Sequence, residues 1–221
     1  VVVESFRPGV MDKLGCGYEA LKQINSRLVY AALTGYGQSG PYAKRPGHDI
    51  NYRAYTGELH QTGAAGGTPA SGGFQVADLA GGALTCAVGI LGALLGAQRS
   101  GTGTFVDVSM MDGTLALQVM TLASQRLMGV FPPRGEGMLT GAFPNYQVYR
   151  CADGEYLAVG AVERKFFEQI CHAVERPDLL QLPMAPGQSG DPLRQALTEL
   201  FLSQPRDYWD LTLAHLDTCV S

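Results

Sequence analysis

Arg27–Pro41 reads RLVYAALTGYGQSGP, a short apolar run that stops at a turn rich in Gly, Ser and Pro. An apolar run bounded by turn residues is the pattern of a strand buried on both faces. Upstream, Val10–Asn25 carries apolar residues at Val10, Leu14, Leu21 and Ile24, a loosely helical spacing. The first six residues, VVVESF, read as another buried strand, ended by Arg7, Pro8 and Gly9. Strand, helix, strand in that order predicts a parallel α/β unit, because parallel strands need a crossover between them. The Gly-rich turn then stands at a strand's carboxyl end, where open α/β sheets take their ligands.

Downstream, Gly47–Gly63 begins GHDINY after Pro46, and AAGGTPASGG (Ala64–Gly73) has the composition of a flexible loop. Leu79–Ala97 carries no charge over nineteen residues and raises the question of a membrane span. Five glycines in the run, and no aromatic residue at either end, favour a helix buried in a soluble core instead. Phe105–Ser109 (FVDVS) reads as a strand and Asp112–Met128 as a helix. Gly129–Gly141 is rich in Pro and Gly and reads as a linker, so 1–128 is expected to be one α/β domain and 142–221 a smaller α+β domain. In the latter, Tyr146–Arg150 and Tyr156–Val162 flank Asp153-Gly154, the strongest hairpin signal in the chain. Helices are expected from Arg164 to about Glu175, over Leu193–Leu202 and over Arg206–Leu216.

Composition narrows the function classes. Of 221 residues, 46% are hydrophobic and 16% charged, which excludes a disordered or tail-like chain. A net charge of -4 gives no electrostatic reason to expect nucleic acid. Cys16, Cys86, Cys151, Cys171 and Cys219 are odd in number and form no CxxC pair, so free buried thiols in a reducing compartment are expected. His48, His60, His172 and His215 make no zinc-binding pattern, and no metal is expected. The chain starts inside a strand and ends at LDTCVS, which suggests an excerpt with elements missing at both ends. The Ala- and Gly-rich composition fits a bacterial cytoplasm, ahead of a peroxisome or mitochondrion.

Three residues could carry chemistry. Asp78 stands just before the long apolar run, where it would cap the helix; cap and helix dipole would hold it ionised, so it would react as a base or nucleophile. His48, between Gly47 and Asp49, sits where irregular backbone is expected and is either structural or reactive. Glu163 ends the LAVGAVE strand, as a helix-capping acid or a partner for another group.

Taken together, these motifs bear a likeness. GHDINY at Gly47–Tyr52, with Asp78 thirty residues after His48 and Glu163 in VGAVE, resembles the α-methylacyl-CoA racemases, within the family III CoA-transferase (CaiB/BaiF) group. ESFRPGVMDKLG (Glu4–Gly15), RLVYAALTGYGQSGP, VDVSMMDG (Val106–Gly113), YRCADGEYLAVGAVE (Tyr149–Glu163) and DTCV (Asp217–Val220) match the wider family. The likeness runs from end to end and is weakest at Ala64–Gly73 and Leu179–Asp191.

The resemblance implies the CaiB/BaiF α/β fold: part of a Rossmann-like large domain plus a small α+β domain, in an interlocked homodimer without a membrane span. It implies inversion at the α-carbon of a 2-methylacyl-CoA through an enolate, with His48 and Asp78 as bases on opposite faces. Glu163 would orient or polarise His48, and the backbone N–H of Asp49 would meet the enolate oxygen. Ser5, Phe6, Arg7 and Lys13 would lie along the CoA nucleotide, with Lys13 where racemases often carry Arg. Gly47, His48, Asp49, Ile50, Asn51 and Tyr52 would line the thioester end. CoA is then the handle of the substrate, and no redox or metal cofactor is implied. The remaining CoA contacts would lie on a preceding half of the large domain, and a C-terminal helix would return to it. Two alternatives stand beside this: a family III CoA-transferase acting through an Asp78–CoA thioester, and an inactive fragment or interaction module.

Overall fold

Three short strands, β1 (Val2–Glu4), β2 (Tyr30–Thr34) and β3 (Phe105–Ser109), pair in parallel with β2 in the middle of the computed structural model, which describes residues 1–221. The period of two along β2 sorts its side chains between two faces. Tyr30 and Ala32 face a cluster with Val2, Tyr18 and Phe105, while Ala31 and Leu33 face Cys86, Ile90, Val106 and Val108. On the first face the rings of Tyr18, Tyr30 and Phe105 lie 5.4–5.9 Å apart, in the range of favourable aromatic pairs.

The first crossover is not one helix, as the apolar spacing suggests, but two: α1 (Val10–Lys13) and α2 (Tyr18–Ile24). Gly15, at φ 73°, turns the chain between them in a region most side chains avoid. The second crossover holds α3 (Asp49–Thr56), α4 (Glu58–Gln61) and a helix running unbroken from Ala77 to Ser100. Its first two turns, Ala77–Leu84, are π-helical; the rest, Thr85–Ser100, is α5. After β3 come α6 (Met110–Ala116) and α7 (Val119–Met128), where one helix from Asp112 was expected.

The long helix is a correction to the expected core helix. It is long and apolar enough to cross a bilayer, yet only 17% of its most apolar window is buried. Cys86 and Ile90 pack on the sheet, while Leu84, Val88 and Leu91 are exposed. Small residues allow its close packing: Gly81 meets Gly113 of α6 so closely that a Cβ on either would strike backbone.

These elements form one compact unit, Val1–Thr62 with Pro69–Phe131; the other is Gly63–Thr68 with Pro132–Ser221. In the second unit β4 (Tyr146–Arg150) and β5 (Tyr156–Gly160) form the expected antiparallel hairpin. Its turn spans Cys151–Glu155, with Gly154 at φ 89° and Asp153 accepting from the Glu155 N–H. Against the hairpin pack α8 (Arg164–Ala173), α9 (Asp191–Leu202) and α10 (Arg206–Leu213), burying Phe167, Leu197, Phe201 and Leu213 completely or nearly so. Trp209 donates its indole N–H to the Phe201 carbonyl (2.9 Å), so its polar end is satisfied inside this core.

All five cysteines are free. Cys86, Cys151 and Cys171 are buried as expected, but Cys16 and Cys219 are exposed. Burial pushes the Cys171 thiol up to about 11, leaving it a poor nucleophile at neutral pH.

Candidate functional site

The carboxyl ends of the three parallel strands open on a cavity of about 460 Å³, placed as ligand sites in α/β sheets are. Ser5, Phe6 and Arg7 reach it from the end of β1. Thr34, Gly35 and Tyr36 reach it from the Gly-rich turn after β2, and Met110 from the end of β3. Gly47, His48, Asn51 and Tyr52 line it from the start of α3. Lys13, at the end of α1, lies on the surface outside its lining, and Asp49, Ile50 and Asp78 are not part of the lining either.

α3 begins here for local reasons. His48 is its N-cap residue in extended conformation, and Asn51 Oδ1 accepts from the His48 N–H (3.1 Å). The buried Tyr52 ring packs against Tyr36 at 5.1 Å and donates its hydroxyl to the Gly47 carbonyl (2.6 Å), fixing the turn before His48. Gly47 is needed there because a Cβ would run into the rings of Tyr36 and Tyr52. As first residue of α3, Asp49 carries a backbone N–H from the turn that helix geometry leaves without an intrahelical acceptor.

Asp78 is half-buried in the π-helical segment, not in front of it as its sequence position suggests. The carboxylate that caps this helix is that of Asp49, which is only 8% exposed: Oδ1 accepts from the N–H groups of Ala77 (2.6 Å) and Asp78 (3.2 Å). Asp78 therefore lacks the cap bonds that would lower its pKa. Burial, and then the charge of Asp49, hold it above the ordinary carboxylate range, with His48 drawing it partly back. π-Helical turns occur often at functional sites, and this one carries the candidate carboxylate.

Glu163 belongs to the second unit, as the N-cap residue of α8. Its carbonyl accepts from the N–H groups of Phe166 and Phe167, and its side chain makes no cap bond. No three or more His, Cys, Asp or Glu side chains converge as a metal site would require.

Two cavity features escape a linear reading. Thr34 is buried, and its hydroxyl has no protein partner although it lines the cavity, leaving a hydrogen bond for a ligand. Arg45 adds a second guanidinium beside Arg7, held over the Tyr42 ring at 4.4 Å and donating to the Tyr55 hydroxyl (2.8 Å). The sequence signal for both was the turn itself, since residues after strands β1 and β2 converge only once the strands pair.

The CoA-transferase family III model matches residues 1–221. The chain is 38% identical over its whole length to human alpha-methylacyl-CoA racemase, spanning 58% of that protein. It is 35% identical over 95% of its length to acetyl-CoA:oxalate CoA-transferase of Acetobacter aceti, spanning 54% of it. The crystal structure of a CAIB/BAIF family protein from Brucella suis superposes on the whole chain with a TM-score of 0.81 at 28% identity, the match covering 59% of that structure. The chain thus spans a little under three-fifths of the length of these relatives.

Proposed function

From the premise that this chain belongs to the family III CoA-transferases and has the CaiB/BaiF fold, we propose that it carries part of the active site of an acyl-CoA racemase, which inverts the α-carbon of 2-methylacyl-CoA thioesters. The observation that supports this reading best is the joining of His48 and Asp78 through one short structural unit. His48 heads α3, and the next residue caps the helix that carries Asp78. A two-base inversion needs one group deprotonated and the other protonated at the start of each direction. Burial and the charge of Asp49 raise the proton affinity of Asp78, which suits a group that must take up a proton in one direction and release it in the other.

In the proposed reaction one base removes the α-proton, the electron pair moves onto the thioester oxygen, and the other base delivers a proton to the opposite face. The thioester reforms with no net change in atoms or charge. The enolate oxygen needs preorganised donors, worth on the order of 3–4 kcal/mol each, and the Asp49 backbone N–H fills that role in this reading. Arg7 and Arg45 supply fixed positive charge for the CoA phosphates. In this reading the working enzyme is a homodimer, and CoA enters as part of the substrate.

A second reading rests on the transferase relative at 35% identity. There Asp78 attacks the acyl-CoA carbonyl and expels the CoA thiolate. The thiolate attacks the resulting anhydride at the Asp78 carbonyl, which frees the acyl group as its carboxylate and leaves an aspartyl–CoA thioester.

Deuterium incorporation at the α-carbon in D₂O separates the two. With 2-methylacyl-CoA substrates the wild-type protein is expected to exchange the α-proton, and both His48→Ala and Asp78→Ala to lose about 10²-fold or more. Exchange that survives His48→Ala, or transfer of CoA to a free carboxylate without exchange, overturns the racemase reading.

A further inference from the structure

We propose that the side chain of Asp49 is a positioning residue for Asp78, clamping the start of the Asp78 helix to the segment that carries His48. The inference rests on the racemase reading for its consequences in turnover and on geometry for the clamp. Oδ1 of Asp49 accepts from two consecutive N–H groups, of Ala77 and Asp78, across 28 and 29 residues of chain. The first N–H groups of a helix have no partner within it, so this carboxylate supplies what Gln75 and Val76 do not. The other oxygen, Oδ2, faces Arg53 Nη1 at 3.5 Å.

Arg53 is 2% exposed, and its surroundings explain why a guanidinium is buried there. Its Nε lies 2.5 Å from Glu58 Oε2, and Nη1 also donates to the Ser71 carbonyl. Glu58 Oε1 in turn accepts from the Thr62 hydroxyl (3.0 Å). The network fixes the Asp49 carboxylate in place, and a charged acceptor binds backbone N–H groups about twice as strongly as a neutral one. A single carboxylate therefore sets the distance between the two proposed bases, because it is adjacent in sequence to one and bonded to the backbone of the other.

The clamp has an electrostatic side. The negative charge of Asp49 favours the protonated form of Asp78, while His48 opposes it. Tyr52, also on α3, is held protonated by burial, Tyr36 and the same two carboxylates. Further ionisable groups on this helix and the elements packed on it are Arg53 and Tyr55 on α3, Asp112 on α6, Asp107 on β3, Tyr30 on β2, and Cys86 and Arg99 on α5.

Asp49→Ala, Asp49→Asn and wild type, each as full-length protein, test the clamp through α-proton exchange kinetics and the ¹³C titration of the Asp78 carboxyl, assigned with Asp78→Asn. Asp49→Ala is expected to lower kcat about 10²-fold with little change in KM, as for a misplaced reacting group. Asn caps a helix as well as Asp, so Asp49→Asn should recover about tenfold of that loss. Removing the charge should lower the Asp78 midpoint in Asp49→Asn. A kcat within about threefold of wild type in Asp49→Ala, no recovery by Asn, or an unmoved Asp78 midpoint in Asp49→Asn overturns the proposal. The titration needs no turnover: no exchange in wild type together with a lowered midpoint in Asp49→Asn sinks the racemase reading and supports the clamp.

Discussion

Asp78 and Asp49 show how far single residues can be read. The order of residues marks Asp78 as a helix cap, since an Asp before an apolar run is the usual signature of one. In the folded chain that role passes to Asp49, far away in sequence, because a carboxylate from a neighbouring element reaches the same N–H groups. The consequence is a raised pKa at Asp78 instead of a lowered one. The sign for stability follows. A carboxyl whose folded pKa lies above its unfolded value opposes folding by the amount of that shift once the pH exceeds both, and by nothing below both. Asp78→Asn removes the charged form, so its thermal midpoint at pH 7 should exceed that of wild type. The two should converge as the pH falls below the ordinary Asp value of about 3.9, a comparison that calorimetry across pH makes directly. A lower midpoint for the Asn variant at pH 7 would show that the Asp78 carboxylate is stabilised, not strained.

At the scale of elements, the strands were the legible part. Val1–Phe6 and Phe105–Ser109 each contain an observed strand and Arg27–Leu33 holds all but the last residue of another, because apolar runs between Gly and Pro turns have few other outcomes. Helix continuity was less legible. Two expected helices split, at Leu14–Gly17 and at Leu117–Gln118, and the apolar helix opens with a π-helical segment that periodicity does not reveal. The glycines of that helix are legible only after packing: Gly81 and Gly113 let the Asp78 helix and α6 touch backbone to backbone. Gly113→Ala places a methyl where Gly81 backbone already sits and should destabilise by about 1–3 kcal/mol, read from the urea midpoint. Gly92→Ala on the same apolar helix, where nothing lies within 4 Å, should be neutral or stabilising, since Ala exceeds Gly in helix propensity by about 1 kcal/mol.

For the whole molecule, the two units carry separate cores, and the single tryptophan, Trp209, reports on one of them. Leu197 is 1% exposed in that core, so Leu197→Ala should cost about 2–5 kcal/mol, seen as a lower denaturant midpoint in Trp209 fluorescence. An unchanged midpoint would mean that the core relaxes around the cavity. The fold family was legible from the order of residues alone. Strand runs, turn glycines and the ordered motifs from ESFRPG to DTCV are local patterns, and local chemistry suffices to produce them. Tertiary structure alone decided that residues 5–7, 34–36, 47–48 and 51–52 share a cavity, that the Thr34 hydroxyl is left without a partner there, and that Asp49 caps the Asp78 helix. It also decided that the apolar helix buries one side and exposes the other. The reason is that hydrogen bonding and burial act through distance in space. Parallel strands bring their carboxyl ends together only through crossovers of many residues, so chain positions close in the fold carry no mark of it in sequence.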